Sequence, residues 1–415
     1  MDTQRNWLSD EVVKDPYPHL QELRNNDPVH WNARHRAWFI TTYDEVVSAF
    51  ANPGLTSDRV TSYVKSKISE EDKARLGRTF DLIGGWMVFR DPPVHTRLRN
   101  IVNQAFSPRR IQQLRERTTQ IARELILPIA ERIESGETVD LIEDYYGVVP
   151  ARVVGEIFGV PYSDSPQLKH WGDELGQFIN GDTTDPNRNE RAHAAIIDFE
   201  KWLFGLVEGY RSHPADNLLS ELGRAVIEGD RLTDSELVSM CMLILDAAYK
   251  TTQNALGNAT LAMLTDDRVY RELRENRQLL PKATDEFLRF APPAMMTVRR
   301  AREDLTIGGK QVKANDRVFL YVGSANRDAK HFDRPDEIDF TRKIIDHVTF
   351  GRGIHFCLGS VLARMEISVC LTEVLDLPKL SLAIDPSELS WLRLLLMRGI
   401  RQLPVRKAVL VTETA

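Results

Sequence analysis

Apolar side chains recur at helical spacing along most of this 415-residue chain. The three-and-four spacing predicts long helices over residues 109–135, 189–212, 234–265 and 361–374, and shorter ones over 17–25 and 42–50. Apolar and polar positions alternate over 29–31, 37–41 and 305–321, which predicts short strands, with a turn at Gly308-Gly309. The pattern therefore predicts a mainly α fold with a small β region (α+β).

Composition narrows the class of protein. Hydrophobic residues make up 42% of the chain and charged residues 27%, which is enough of both for a large core inside a polar surface. No linker, low-complexity segment or repeat interrupts the pattern, so we expect one domain over residues 1–415. A net charge of -6 gives no basis for a nucleic-acid function.

The first residues and the cysteines bear on location. Residues 1–10 are polar and lack the apolar core of a signal peptide or a membrane anchor. Three cysteines at unrelated positions suit a reducing compartment, with Cys241 and Cys370 expected to be buried. We therefore expect a cytoplasmic protein without a membrane partner.

The most informative stretch is residues 350–359, which read Phe-Gly-Arg-Gly-Ile-His-Phe-Cys-Leu-Gly. Cys357 lies in a glycine-rich loop just before a helix-like run, and a helix N-terminus stabilises a thiolate. Gly351 permits close approach of the backbone to a flat cofactor, and Phe350 can pack against the loop. An ordinary turn with a buried cysteine is the alternative reading.

This stretch meets every position of Phe-Gly-x-Gly-x-His/Arg-x-Cys-x-Gly and so resembles the haem-ligand signature of the cytochrome P450 family. The resemblance extends over nearly the whole chain. It implies the P450 fold, with a long central helix over the haem, and Cys357 as the axial thiolate ligand of the iron of haem b.

Basic residues that would hold the haem propionates follow from the same resemblance. Residues 91–99 read Asp-Pro-Pro-Val-His-Thr-Arg-Leu-Arg, which places His95 and Arg99 one turn apart on a helix that starts after the prolines. In the family, that His and Arg contact propionates, and Arg299 and His355 match two further contacts. Taken singly, each would more often be a solvated residue.

The predicted helix over 234–265 carries a departure from the family. Where the family has Ala/Gly-Gly-x-Asp/Glu-Thr for oxygen activation, residues 247–251 read Ala-Ala-Tyr-Lys-Thr. Thr251 keeps the hydroxyl, but Lys250 replaces the acid, which puts the usual proton delivery in question. Asp246 lies one turn before Lys250, so an ion pair is expected. Alternatively, Asp246 binds a basic amine or N–H of the substrate, or both residues form a displaced proton relay.

A further acid–base pair points to the scaffold. Glu286 and Arg289 are three residues apart and lie on one helical face, a spacing that usually makes a surface pair. In the family, such a pair joins an arginine of a later proline-containing segment in a buried network behind the haem. Arg334 is predicted as that third member.

Substrate contacts are expected from scattered segments that line the distal pocket in the family, although each residue could instead be core. They are Trp86, Met87, Val88, Leu243, Asp246, Ala247, Met295, Met296, Thr297, Leu395 and Leu396. Residues 161–187 correspond to a mobile lid in the family.

The resemblance implies a haem-thiolate monooxygenase of natural-product biosynthesis that oxidises an apolar or polycyclic small molecule with O2. No nucleotide-binding fingerprint is present, so electrons are expected from ferredoxin and ferredoxin reductase, docked near the arginines at 109, 110, 352 and 364. Lys250 favours an alternative, a coupling, ring-forming or peroxide-driven enzyme. A non-catalytic haem-binding or gas-sensing protein is a third reading.

Overall fold

Helices form most of the computed structural model, which describes residues 2–61, 64, 68–106, 108–180, 187–226 and 229–408. The helices in these ranges are α1 (Asp10–Lys14), α2 (Tyr17–Asn26), α3 (Tyr43–Ala51), α4 (Glu70–Gly84), α5 (Val94–Ala105), α6 (Pro108–Glu134), α7 (Val149–Phe158), α8 (Ser165–Asn180), α9 (Arg188–Ser212), α10 (Leu218–Arg224), α11 (Asp234–Leu264), α12 (Asp267–Glu275), α13 (Leu280–Phe290), α14 (Val322–Ala325) and α15 (Ser360–Asp376).

Short strands form three sheets. The strands are β1 (Val29–Asn32), β2 (Ala37–Ile40), β3 (Leu55–Thr56), β4 (Val139–Asp140), β5 (Thr297–Ala301), β6 (Leu305–Ile307), β7 (Lys310–Val312), β8 (Arg317–Leu320), β9 (Leu380–Leu382) and β10 (Pro404–Lys407). The largest sheet has the order β1-β2-β8-β5-β3, with β2 and β8 parallel and its other pairs antiparallel. The others have the orders β4-β10-β9 and β6-β7.

The predicted fold class is confirmed, and most predicted elements lie within a residue or two of the observed ones. The β1–β2 hairpin forms with Val29 opposite Ile40, and the Gly308-Gly309 turn joins β6 to β7. The sequence analysis missed α4 and α7. Most of the segment expected as a lid is the helix α8, while residues 181–186 of that segment lie outside the described residues.

The long helix α11 is the centre of the helical core. It begins with a capping box, in which the Thr233 side chain accepts from the Glu236 N–H while the Glu236 side chain accepts from the Thr233 N–H. It packs against α4, α7, α8, α13 and α15. The approach of α8 is close, because a Cβ atom at Gly172 would lie 2.7 Å from Cδ1 of Tyr249. Side chains on α8 can therefore reach polar groups of α11.

A fully buried ion pair on α13 ties the helical core to the segment that follows β8. Arg289 donates to both carboxylate oxygens of Glu286 at 2.8 Å, and both side chains are completely buried. Arg289 also donates to the carbonyls of Asn326, Pro335 and Glu337. The pair predicted from the Glu-x-x-Arg spacing is therefore present and buried rather than at the surface.

The prediction that Arg334 completes this network is wrong. Arg342 takes that place, since its Nε donates to Glu286 Oε1 at 2.9 Å and its side chain is buried. Arg334 is half exposed and pairs with Asp339 and Glu337 instead. Its backbone carbonyl nevertheless accepts from Arg342 at 2.7 Å. The chain turns back after Arg334, which brings Arg342 to the carboxylate.

Replacing Arg342 is expected to destabilise the protein much more than replacing Arg334. Arg342→Met leaves part of a buried carboxylate without a donor and should lower the free energy of unfolding by about 2–3 kcal/mol. Arg334→Met removes a surface pair and should cost less than about 1 kcal/mol. Urea denaturation of both variants measures the difference, and equal losses would contradict the assignment of Arg342.

Candidate functional site

The loop before α15 holds Cys357 in a conformation that its glycines permit. Gly351 and Gly353 have φ angles of +71° and +67°, in the left-handed region where a side chain is strained. The Cys357 N–H donates to the Phe350 carbonyl at 2.9 Å, which closes the loop. The helix α15 begins at Ser360, so the sulfur lies just before a helix N-terminus, as the sequence predicted.

The electrostatic surroundings of the sulfur are mixed. Burial raises the pKa of the Cys357 thiol, while the Gly359 N–H and the charges of Arg99 and Arg364 act to lower it. Burial has the larger effect, so the loop by itself does not hold a thiolate. A coordinated metal removes the thiol proton outright, which supplies the missing stabilisation.

Two contacts brace the loop against α13. The Arg364 guanidinium lies over the Phe350 ring, 4.4 Å from its centroid, and its Nε donates to Asp285 at 2.7 Å. His347 lies three residues before Phe350, and its Nε2 is 3.1 Å from Oδ1 of Asp285. Burial acts to raise the pKa of Asp285, but these two hydrogen bonds hold it below its ordinary value. A charged Asp285 therefore binds two residues that flank Phe350 in the sequence, His347 before it and Arg364 after it.

The histidines predicted to contact propionates come together. The rings of His95 and His355 lie 4.2 Å apart between centroids. Both ring nitrogens of His95 are buried and have no hydrogen-bond partner among the described residues. Burial, with the charges of Arg299 and His95, lowers the pKa of His355 to about 3. Such groups need acceptors or anions from outside the chain.

The two predicted arginines of this set are also desolvated. Burial lowers the pKa of Arg299 to about 10. Burial also lowers the pKa of Arg99, and the charge of Cys357 acts to raise it. Two cations and two histidines beside the candidate thiolate suit a flat group with two carboxylates and a metal. The residues present therefore fit haem.

The central helix does not make the ion pair that the sequence predicts. Lys250 Nζ lies 2.5 Å from Oδ1 of Asp173 on α8 and also donates to Gln253 at 3.2 Å. Asp246 makes no ion pair with any residue that the structure describes. A Cβ atom at Gly176 would lie 3.4 Å from Lys250 Cγ, so α8 approaches closely enough for its acid to take the lysine. The Asp246–Lys250 pair is therefore corrected to Asp173–Lys250.

Asp246 instead interacts electrostatically with Arg59, a residue that the sequence analysis missed. Burial raises the pKa of Asp246 to about 7, and the opposite charge of Arg59 acts against this rise. The Arg59 guanidinium lies over the Phe89 ring, 4.5 Å from its centroid. Burial lowers the pKa of Arg59 to about 10. No spacing or motif in the sequence marks Arg59, because its position depends on a contact between segments almost 190 residues apart.

Thr251 lies directly after Lys250, and its hydroxyl donates to the carbonyl of Ala247. Ala247 itself is exposed on the surface of α11. The hydroxyl proton is thus held within the helix, and the oxygen lone pairs remain to accept a further hydrogen bond.

The predicted pocket residues fall into two groups. In the first group, Trp86 stacks on Phe89 with 5.8 Å between centroids, and its indole nitrogen has no partner among the described residues. Met87 beside it is buried and Val88 is exposed. Leu243 packs against the apolar cluster that contains Trp86 and Met87, and Thr297, on β5, is half-buried.

The second group lies in a different apolar cluster. Met295 and Met296 are buried with Trp7, Phe39 and Tyr321. Leu395 and Leu396 pack against the same cluster, and Leu395 lines a cavity of about 40 Å³ together with Met295 and Met296. These contacts are those of core residues, and the assignment of these four to the substrate pocket stays a prediction.

The arginines expected at a docking face are mostly engaged in ion pairs. Arg110 is buried and bridges Asp216 and Glu221 at 2.8 and 2.7 Å, so its expected place on the docking surface is wrong. Arg352 pairs with Asp346. Of this set Arg109 is the most exposed. Across the described part of the chain, no helix has the length and apolar character needed to cross a membrane.

Comparison with known proteins agrees with this site. The cytochrome P450 family model matches residues 62–389. The polyketide biosynthesis cytochrome P450 PksS of Bacillus subtilis is 34% identical over 405 residues, 95% of this chain and 96% of that protein. The 6-deoxyerythronolide B hydroxylase of Saccharopolyspora erythraea is 34% identical over 94% of this chain and 95% of that protein. The crystal structure of CalO2 matches with a TM-score of 0.90 at 26% identity, covering 98% of this chain and 99% of the other.

The chain therefore belongs to the cytochrome P450 family and is a monooxygenase with a haem-thiolate cofactor. When bound, that haem supplies the activation of dioxygen, and the thiolate favours O–O cleavage.

The Lys250–Asp173 pair can be tested by a double-mutant cycle on unfolding. Lys250→Met, Asp173→Asn and the double variant should give a coupling free energy of about 1 kcal/mol, since both side chains are partly exposed. The same cycle with Asp246→Asn in place of Asp173→Asn should give a clearly smaller coupling. A larger coupling to Asp246 would restore the pair expected from the sequence.

Proposed function

We propose that this protein inserts one oxygen atom from O2 into an apolar or polycyclic small molecule during natural-product biosynthesis, using haem b. The observation that carries the proposal is the arrangement around Cys357, with unpartnered His95 nitrogens and desolvated Arg99 and Arg299 beside a braced thiol loop. Two similar proteins bear names from polyketide chemistry, which supports this substrate class.

The residues at the cofactor have separate roles in this proposal. Cys357 ligates the iron, and His95, Arg99, Arg299 and His355 hold the two propionates by charge and hydrogen bonds. Phe350 and Gly351 shape the loop on which the sulfur sits. Because these groups are buried, water competes poorly for the propionates and the cofactor stays in one orientation.

Thr251 is the residue that holds a proton nearest the reacting atoms. Its hydroxyl donates to the Ala247 carbonyl within α11. The hydroxyl exchanges its proton with water or substrate groups in the pocket. Lys250, the neighbour of Thr251 in the sequence, pairs with Asp173. The carboxylate that is linked to this part of α11 therefore belongs to α8. The substrate lies over the face of α11 that carries Leu243 and Ala247.

Electrons come from ferredoxin and its reductase in this proposal, and the protein works in the cytoplasm. The partly exposed Arg352 and Arg364 flank Cys357 in the sequence, and the exposed Arg109 lies on α6, which packs against α15. Their net field is weakened by Asp216, Asp346 and Asp285, so docking should depend only weakly on salt.

A second candidate function is oxidative coupling, ring formation or peroxide-driven chemistry. The observation that favours it is Lys250, because an ammonium held by Asp173 is a poor substitute for an acid that takes up and passes on protons. Such reactions place smaller demands on proton delivery at Thr251.

Product analysis separates the two candidates. The holoprotein is supplied with NADPH, plant ferredoxin and ferredoxin reductase, or with hydrogen peroxide alone, and a panel of macrolactones and steroids. The monooxygenase proposal predicts products that carry one ¹⁸O from ¹⁸O2 under the ferredoxin condition, and a several-fold lower yield per NADPH in Thr251→Ala. Equal yields with peroxide alone, unaffected by Thr251→Ala, would favour the second candidate.

A further inference from the structure

Asp246 lies on α11 directly before Ala247 and has no hydrogen-bond or ion-pair partner among the described residues. The basic residue one turn away, Lys250, is held by Asp173 and Gln253. No ion pair or hydrogen bond joins Asp246 to another described residue. A desolvated carboxylate without a donor is costly, so such a group is usually kept for a ligand.

Arg59 is the charged residue that acts on Asp246. It lies on the segment between β3 and α4, and its guanidinium covers one face of Phe89. Each of the two charged groups acts on the other electrostatically, yet they do not come within the 4.0 Å of an ion pair. The two groups are therefore near enough to interact and too far apart to pair, which leaves a gap between the donor and the acceptor.

The surroundings of this gap tie it to the cofactor and to the apolar pocket. Ser57, two residues before Arg59, lies 3.0 Å from His355 through its hydroxyl. Phe89, under Arg59, stacks on Trp86. Asp246 directly precedes Ala247, whose carbonyl accepts from Thr251. A group held in the gap would thus keep the rest of a substrate close to Thr251.

The chemistry of the two side chains restricts what fits between them. A carboxylate accepts hydrogen bonds and a guanidinium only donates them. A trans amide is the neutral group that presents an N–H on one side and a C=O on the opposite side. It satisfies both side chains at once and brings no net charge into the pocket, whereas an amine or a carboxylic acid satisfies one of them.

We propose that Asp246 and Arg59 form an amide subsite, which binds a lactam or peptide-type amide of the substrate with its N–H on Asp246 and its C=O on Arg59. The inference rests on the proposed function, because it names the substrate class of the same pocket. Ring lactams and open-chain amides share this chemistry.

Calorimetric titration of the oxidised holoprotein with matched probes tests the subsite without turnover. The cyclic probes are azacyclotridecan-2-one, a lactam, oxacyclotridecan-2-one, the lactone of the same ring size, and the cyclic amine azacyclotridecane. The open-chain pair is N-hexylhexanamide and hexyl hexanoate. We expect at least one amide to bind about tenfold more tightly than its ester, because hydrogen bonds to charged groups discriminate by that much. A preference in the cyclic pair indicates a lactam, and a preference in the open-chain pair indicates a peptide-type amide.

The variants then assign the preference to the two residues. Arg59→Met and Asp246→Leu should each bring the amide-to-ester ratio close to one. The nearly isosteric Asp246→Asn should reduce the ratio with little effect on folding. Arg90→Met and Asp234→Asn are matched controls, and both should keep the wild-type ratio. Among described residues the Arg90 side chain hydrogen-bonds to the Gly84 carbonyl, and Asp234 pairs with Arg211.

Three results would overturn the subsite. The first is equal binding of amides and esters by the wild-type protein. The second is tightest binding of the amine, lost in Asp246→Asn and kept in Arg59→Met, which would make Asp246 a cation site. Loss of haem from Arg59→Met, measured by haem content, would assign Arg59 to the cofactor and also overturn the proposal. The titration contains no reductant and therefore measures binding alone. A protein that binds amides in it but oxidises nothing in the product analysis would refute only the proposed function.

Discussion

The structure depends on keeping one sulfur atom fixed in a place where burial opposes its charge. Burial raises the pKa of the Cys357 thiol more than the neighbouring cations and the Gly359 N–H lower it. A thiolate at Cys357 would therefore need a bound metal, and a metal held there would need a rigid loop. Two adjacent acids on α13 meet this need. Asp285 holds Arg364 and His347 on either side of Phe350, and Glu286 holds Arg289 and Arg342.

A second constraint is the distribution of charge on the distal side of the cofactor. The close approach of α8 to α11 at Gly172 and Gly176 lets Asp173 neutralise Lys250. That contact leaves Asp246 without an ion pair among the described residues, while the charge of Arg59 acts on it. In the proposals above, this one helix–helix approach affects both the proton delivery near Thr251 and the polar group that a substrate presents.

The sequence predicted the features that depend on residues close together in the chain. The glycines and Cys357 of the loop, the hairpin of β1 and β2 and the long helix α11 follow from spacing and turn chemistry, and the structure has them where expected. The class of the fold and the family followed from the same short motifs. The pair of Glu286 and Arg289 is local as well, and the sequence identified it.

Contacts between distant segments could not be predicted in the same way. Arg334 and Arg342 lie on one irregular segment, and only the path of the chain decides that Arg342 reaches Glu286. An i,i+4 rule favoured Asp246 for Lys250, but α8 brings a carboxylate closer. Arg59 carries no local signal at all. The burial of Met295 beside Trp7 is likewise set by how the N-terminal segment packs.

The most direct test of the central claim is the carbon monoxide difference spectrum of the dithionite-reduced protein. It is recorded for the wild type, for Cys357→Ala and for the control Cys370→Ala, whose cysteine is buried within α15. Thiolate-ligated haem predicts a strongly red-shifted Soret band in the wild type and in Cys370→Ala, lost in Cys357→Ala. A folded, haem-loaded wild type without that band, or a Cys357→Ala variant that keeps it, would contradict Cys357 as the ligand.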